Sequence, residues 1–257
     1  MVIESDVRDG VAVVTLNRPE RRNALNNELT AALRSTMAAV DADDAVSVIV
    51  LTGADPAFCA GVDLKELAEG SRASGQFVPG TAAEPGRPWA RTAKPVIGAV
   101  NGAAITGGFE LALQCDFLVA SERAVFADTH ARVGILPGWG LTVLLPQAVG
   151  VRRAKELSLT GNFLPAAEAL AWGLVNHVVP HAELLPAVRK LAADIAGYDQ
   201  RPVRAILAEY ERTTATTVAE GLRIEAEVAA EWNADPAAVA GVADRRAAVF
   251  ERGRRQV

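Results

Sequence analysis

Eight uncharged residues in a row, VSVIVLTG from Val46 to Gly53, set the strongest limit on how this chain folds. A β-branched run with no polar alternation reads as a strand covered on both faces, which is how parallel strands sit. The segment before it, NELTAALRSTMAAV from Asn27 to Val40, places Leu29, Leu33, Met37 and Val40 on one helical stripe, with Asn27 as the predicted N-cap. Earlier still, VIESDV and VAVVTLN flank Arg8-Asp9-Gly10 and predict a hairpin. Strand, helix and buried strand make a βαβ unit. The theme recurs in PVIGAVNG (Pro95 to Gly102), DFLVA (Asp116 to Ala120) and AVFAD (Ala124 to Asp128), so the fold class is α/β, with repeating units that stack as a spiral.

After about Ala182 the pattern becomes wholly helical, which with 257 residues in all predicts an α/β body with a helical appendage. Gly70 to Pro95, rich in Gly, Pro, Ser and Ala and holding Trp89 and Arg91, reads as a mobile loop. A net charge of -5 offers no broad basic face and excludes nucleic acid as the main partner. Cys59 and Cys115 form neither a metal quartet nor a disulfide framework, which points to a reducing, cytoplasmic setting and to no metal. No signal peptide is expected from MVIESDVRDG. The uncharged stretch Val133 to Val151 is interrupted by Pro137, Pro146 and glycines, so it reads as buried loop and helix and not as a membrane span.

Chemistry concentrates at strand-to-helix junctions. In NGAAITGGFELALQCD (Asn101 to Asp116), Gly107 and Gly108 open a helix directly after a buried strand, where unpaired N–H groups gather. Such glycines serve either anion binding or close packing. Glu110 in the first turn is either a surface acid favoured by the helix dipole or a carboxylate buried beside a pocket. A second loop, GADPAFCAGVDLKEL (Gly53 to Leu67), also ends a strand, and its helix starts near Asp63. Cys59 reads as a small buried hydrophobe. His130 lies twenty residues beyond Glu110, where a returning strand can bring it back, and it is either structural or catalytic. His177 and His181 read as surface residues. GWGLTV lacks the third glycine of a dinucleotide loop, and serine-hydrolase, Walker A and zincin motifs are missing from the sequence.

Four ordered segments carry a likeness to a known family: NRPERRNAL (Asn17 to Leu25), AFCAGVDLKEL (Ala57 to Leu67), KPVIGAVNGAAITGGFELALQCDFLVASERAVFA (Lys94 to Ala127) and GILPGWG (Gly134 to Gly140). They resemble the crotonase superfamily, whose best-known members are enoyl-CoA hydratases. The resemblance implies a crotonase-like ββα spiral core over residues 1–195 that binds and transforms acyl-CoA. It also implies a C-terminal helical trimerisation region over residues 196–257, giving a homotrimer or a dimer of trimers. The N–H groups of Val62 and Gly107 match an oxyanion hole for a thioester carbonyl. Glu110 matches one catalytic glutamate, and His130 stands where the hydratases carry a second. Gly138 matches a water-positioning glycine, and Arg21, Arg22, Ala24, Ala60, Asp63, Leu64 and Lys65 match the coenzyme A path.

Coenzyme A then belongs to the substrate, and no separate cofactor is expected. Where the family carries GGTQR this chain has GLTVL, with apolar Leu141, Val143 and Leu144. The implied activity is hydration of a 2-enoyl-CoA, with enoyl-CoA isomerisation as the alternative and acyl-CoA binding with little catalysis as a third reading. A His130 of ordinary acidity would place a limb of the pH–rate profile near roughly pH 6 to 7.

Overall fold

The computed structural model describes residues 1–68, 86–239 and 242–256, which divide into two compact units, Met1–Tyr198 and Asp199–Val257. The predicted hairpin is present. β1 (Ile3–Arg8) pairs antiparallel with β2 (Val11–Leu16) across Asp9 and Gly10, both at positive φ as a type I′ turn demands. Helix α1 (Asn27–Ala42) buries Leu29, Leu33, Met37 and Val40 as its spacing predicts, but its cap is Asn26, whose side chain accepts from the Leu29 amide, and not Asn27.

β3 (Val48–Gly53) is buried at every position, with β2 parallel on one side. From here the chain winds in similar turns, each made of two strands and a helix. β3 is followed by β4 (Ala57–Cys59) and α2 (Leu64–Ala68); β5 (Val96–Val100) by β6 (Ala103–Ile105) and α3 (Gly107–Leu113); β7 (Phe117–Ser121) by β8 (Val125–Ala127) and α4 (His130–Val133). First strands collect into one sheet and second strands into another. The body continues through α5 (Leu141–Val149), α6 (Val151–Thr160), β9 (Leu164–Pro165), α7 (Ala166–Trp172), β10 (His177–Val179) and α8 (Leu184–Ala196). The larger sheet runs β1-β2-β3-β5-β7-β10, parallel apart from β1, and the smaller runs β4-β6-β8-β9. At the β5–β6 corner a side chain has no room: an ideal Cβ on Gly102 would lie 2.4 Å from the Pro56 carbonyl oxygen of the preceding turn.

The main core fills the spiral between its strands and α1, α3, α5, α6 and α7, while α8 covers the outer face of the larger sheet on Val11, Val13, Val48, Val50, Ile97 and Val119. Residues 69–85, which hold most of the predicted mobile loop, lie outside the described residues. The end of that segment departs from a loop reading, because Trp89 is only 3% exposed and belongs to the core. The Val133–Val151 stretch is only partly buried. Leu141, Leu145 and Val149 face inward, while Leu136 and Val143 stay exposed at 84% and 60%. Lys94 is buried, and its ammonium donates to the carbonyls of Val40 and Asp43 at the end of α1, closing that helix as a cation suits. Among the described residues no helix is long and apolar enough to cross a membrane.

The second unit consists of α9 (Gln200–Thr214), α10 (Val218–Ala234), α11 (Pro236–Val239) and α12 (Val242–Gln256). Within it Arg201 pairs with Asp235 at 2.7 Å and lies over the Trp232 ring, and Arg245 pairs with Asp199 at 3.0 Å. None of the fifteen residues of α9 is buried.

Candidate active site

The two loops singled out by sequence lie against one another. An ideal Cβ on Gly107 would sit 3.1 Å from Leu25 Cδ1, 3.8 Å from Val62 Cγ2 and 3.9 Å from Gly61 Cα. Leu25 and Val62 form a parallel bridge in which the Leu25 amide donates to Gly61 and the Asp63 amide to Leu25. That pattern uses the Gly61 carbonyl and the Asp63 amide, on either side of Val62. Thr106, just before α3, holds φ 54° and ψ −112°, a conformation costly for a β-branched residue. It is pinned by its amide to Ala127 and by its hydroxyl to that of Thr129, the residue before α4. Consecutive strand-to-helix junctions are thus tied together, and the first amide of α3 is set beside the Val62 loop.

Glu110 is 3% exposed, so the surface-acid reading falls away. Its Oε1 accepts from the backbone amides of Gly138 at 3.0 Å and Trp139 at 2.7 Å, which fixes the carboxyl plane. Its Oε2 faces His130 Nε2 at 3.6 Å, a charge contact longer than a hydrogen bond. The loop bearing Gly138 is held in turn by Gln114, which donates to the Trp139 carbonyl at 2.6 Å. Gly138, expected to position water, therefore meets Glu110 through its amide.

His130 is 4% exposed and opens α4. Its Nδ1 lies 2.6 Å from Asp128 Oδ1, which also accepts the His130 amide at 3.1 Å. Burial alone would lower the pKa of the imidazolium. The hydrogen bond to Asp128 and the charge of Glu110 outweigh that and raise it to about 9. The ring therefore departs from the ordinary acidity behind a limb near roughly pH 6 to 7. Burial would raise the Asp128 carboxyl, but hydrogen bonds from His130 and Ser158 hold it below its usual range. Asp128, absent from the sequence-based candidates, was open to detection as an acid two residues before a histidine at the end of a strand.

The residues matched to the coenzyme A path split into two kinds. Arg21 and Arg22 are exposed, and Arg22 sits at φ 51°. The Ala60 amide donates to the Arg22 carbonyl, which joins the 21–24 segment to the 60–65 loop as one surface. Leu64 is 53% exposed and Lys65 is exposed as well. Asp63 is already engaged, its carboxylate 3.2 Å from the Arg18 guanidinium, which also donates to the Ala24 carbonyl. Asn23 is fully buried at φ 57°, accepts from the Arg18 amide and donates to the carbonyls of Ala54 and Ala57. Asn23→Ala is expected to strand those carbonyls and lower unfolding free energy by about 2 kcal/mol, read from the urea midpoint at unchanged slope.

His177 is exposed as predicted, but His181 is not a free surface residue. It bridges Ser121 Oγ and Asp55 Oδ2, each at 3.0 Å, beside a cavity of about 390 Å³ lined by Thr15, Thr52 and Asn101. Ser121 is fully buried, and the bridge ties β7 to the loop that follows β3. Cys59 is fully buried and its thiol is pushed up to about 12 by burial, in keeping with an inert hydrophobe. Among the described residues no group of three or more His, Cys, Asp or Glu side chains is arranged to hold a metal ion.

The spiral of ββα turns is a fold shared with known proteins. The profile of the enoyl-CoA hydratase/isomerase family matches residues 6–252, and the chain belongs to that family. It is 44% identical over 191 residues to a probable peroxisomal enoyl-CoA hydratase 1 of Arabidopsis thaliana, covering 74% of this chain and 71% of the relative. The crystal structure of an enoyl-CoA hydratase from Mycobacterium tuberculosis H37Rv superposes with a TM-score of 0.77 at 49% identity, over 91% of this chain and all of that one (100%). A monofunctional enoyl-CoA isomerase from M. smegmatis superposes with a TM-score of 0.71 at 34% identity, over 86% and 97% of the two chains.

Proposed function

We propose that this chain is an enoyl-CoA hydratase that adds water reversibly to a 2-enoyl-CoA, with Glu110 and His130 as its acid–base couple and with no cofactor besides the coenzyme A of its substrate. The carrying observation is the buried Glu110 carboxyl, held by two backbone amides and turned toward the His130 ring. In this reading the amides of Val62 and Gly107 receive the thioester oxygen, where negative charge gathers as the double bond is attacked. Water gives one proton to Glu110 while its oxygen bonds to the β-carbon. The π electrons move onto the thioester oxygen, and the resulting enolate takes the Nε2 proton of His130 at the α-carbon. Transfer from Glu110 back to Nε2 resets the couple, so one water is added and no proton is left over. Arg21, Arg22, Ala24, Ala60, Leu64 and Lys65 are assigned to the coenzyme A path, and Asp63 to holding that surface through Arg18.

The test is incubation of the purified chain with trans-2-enoyl-CoA esters of several lengths. The expected result is loss of the conjugated thioester absorbance with gain of one water by mass spectrometry. No turnover at any length would overturn the hydratase assignment. The isomerase likeness favours a second reading, in which one proton shuttle moves a double bond. A 3-enoyl-CoA converted without uptake of solvent oxygen marks that outcome, and acyl-CoA binding without either reaction marks a binding protein.

The helical unit is assigned to subunit contacts in a homotrimer or a dimer of trimers. Support comes from apolar side chains left uncovered in this unit, with Ile206 at 53%, Tyr210 at 66% and Leu222 at 63% exposure. Light scattering on the eluted protein distinguishes one, three and six copies. Two free buried cysteines fit the reducing cytoplasm.

A further inference from the structure

The acid–base couple raises the question of which ring form of His130 the protein selects. Asp128 directly follows β8 and spends one oxygen on both the backbone and the ring of His130, at 3.1 Å and 2.6 Å. The same carboxyl takes the Ser158 hydroxyl of α6. The ring is thereby fixed in rotation, with Nδ1 committed and Nε2 left for chemistry. A neutral ring donating from Nδ1 would present a bare lone pair to Glu110 Oε2 at 3.6 Å, an acceptor facing an acceptor. A neutral ring donating from Nε2 would do the same to Asp128 at 2.6 Å. Opposite an ionised Glu110, the doubly protonated ring is the form that donates to Asp128 and also sets a positive N–H, in place of a lone pair, against the Glu110 carboxylate.

We propose that Asp128 is the positioning residue of this site, holding His130 with both ring nitrogens protonated so that Nε2–H faces Glu110 and acts as the proton donor opposite the Glu110 base. The assignment rests on the reading above that Glu110 and His130 form the couple. Its consequence is a division of labour: one carboxylate accepts, one imidazolium donates, and Asp128 itself touches no substrate. Recapture of the proton from Glu110 also needs a ring basic enough to take it, which Asp128 supplies. Among the described residues the charged groups acting on the ring are Asp128, from the β8–α4 junction, and Glu110, from α3. Arg132, on the same helix as His130, turns away to the Thr160 carbonyl.

The chain has three histidines, so ¹³C-histidine NMR of the full protein resolves them by substitution. The expected wild-type spectrum has one ring titrating well above the ordinary value of about 6.5, lost in His130→Gln and shifted down by more than about one pH unit in Asp128→Asn. In turnover, the alkaline limb of the kcat profile should move down with it. Near about pH 8, Asp128→Asn should lose about twofold in kcat for a shift of about one unit and about tenfold for a shift of about two, while KM changes by less than about threefold. A wild-type His130 that titrates near the ordinary value, or an Asp128→Asn titration that superposes on wild type, would overturn the assignment. An inactive wild-type enzyme would sink the hydratase reading, and the NMR titration would still decide the role of Asp128.

Discussion

Glu110→Gln is expected to lower kcat on a 2-enoyl-CoA by about 100- to 10,000-fold while leaving fold and acyl-CoA binding close to wild type. The amide oxygen of glutamine can accept from the Gly138 and Trp139 amides as Oε1 does, so the loop that holds the carboxyl keeps its partner. What disappears is the proton acceptor at Oε2. In its place an NH₂ group faces His130 Nε2 across 3.6 Å, so one donor meets another and no base remains. The loss should therefore fall on kcat and not on KM. Glu110→Ala should behave differently, because it strands two backbone donors as well as removing the base, and its melting temperature should drop as its activity does. Glu110→Gln turning over within a few-fold of wild type would remove Glu110 from the chemistry.

The elements that were legible in sequence are those whose pattern is long enough to count. β3, β5 and β7 stand out because strands buried on both faces leave unbroken apolar runs, and α1 stands out because its stripe repeats over about three turns. The smaller sheet was mostly illegible. β4 and β6 have three residues each and β9 has two, too few for any period; β4 and β6 exist because each lies beside the corresponding strand of the next turn, and β9 because it pairs antiparallel with β8. The cap slipped by one residue because Asn26 and Asn27 are the same residue type, and only the side chain that meets the Leu29 amide decides between them. Trp89 was lost in a loop-like composition, since composition reports solubility and not which aromatic closes the core.

The candidate site follows the same division. Glu110 and the two glycine loops were legible because burial and helix starts are local signals. The orientation of His130 was not, because it depends on Asp128 at one end and on a carboxylate twenty residues away at the other. Read as the end of a strand, AVFAD offers Asp128 no task. Only the turn into α4, which folds its carboxyl back onto the next ring but one, gives it one.

Gly108→Ala is the stability counterpart of the Glu110 experiment, and it should cost more than an ordinary surface change by a wide margin. An ideal Cβ there would lie 2.1 Å from the Cys59 carbonyl oxygen and 2.8 Å from both the Cys59 carbonyl carbon and its Cβ. These neighbours belong to the last residue of β4, fully buried, so no rotamer change relieves the clash. α3 must move off β4. That helix carries Glu110 and begins at Gly107, while β4 leads directly into Gly61 and Val62, so the movement parts the two loops and draws Glu110 from the Gly138 and Trp139 amides. The expected result is a loss of about 3 kcal/mol or more, with activity reduced even at temperatures where the variant stays folded. Gly253→Ala supplies the comparison, because among the described residues no atom beyond its chain neighbours and the local backbone of α12 lies within 4 Å of its added methyl group, and its helix should gain up to about 1 kcal/mol. Equal urea midpoints for the two variants would show that α3 is not seated against β4 as described.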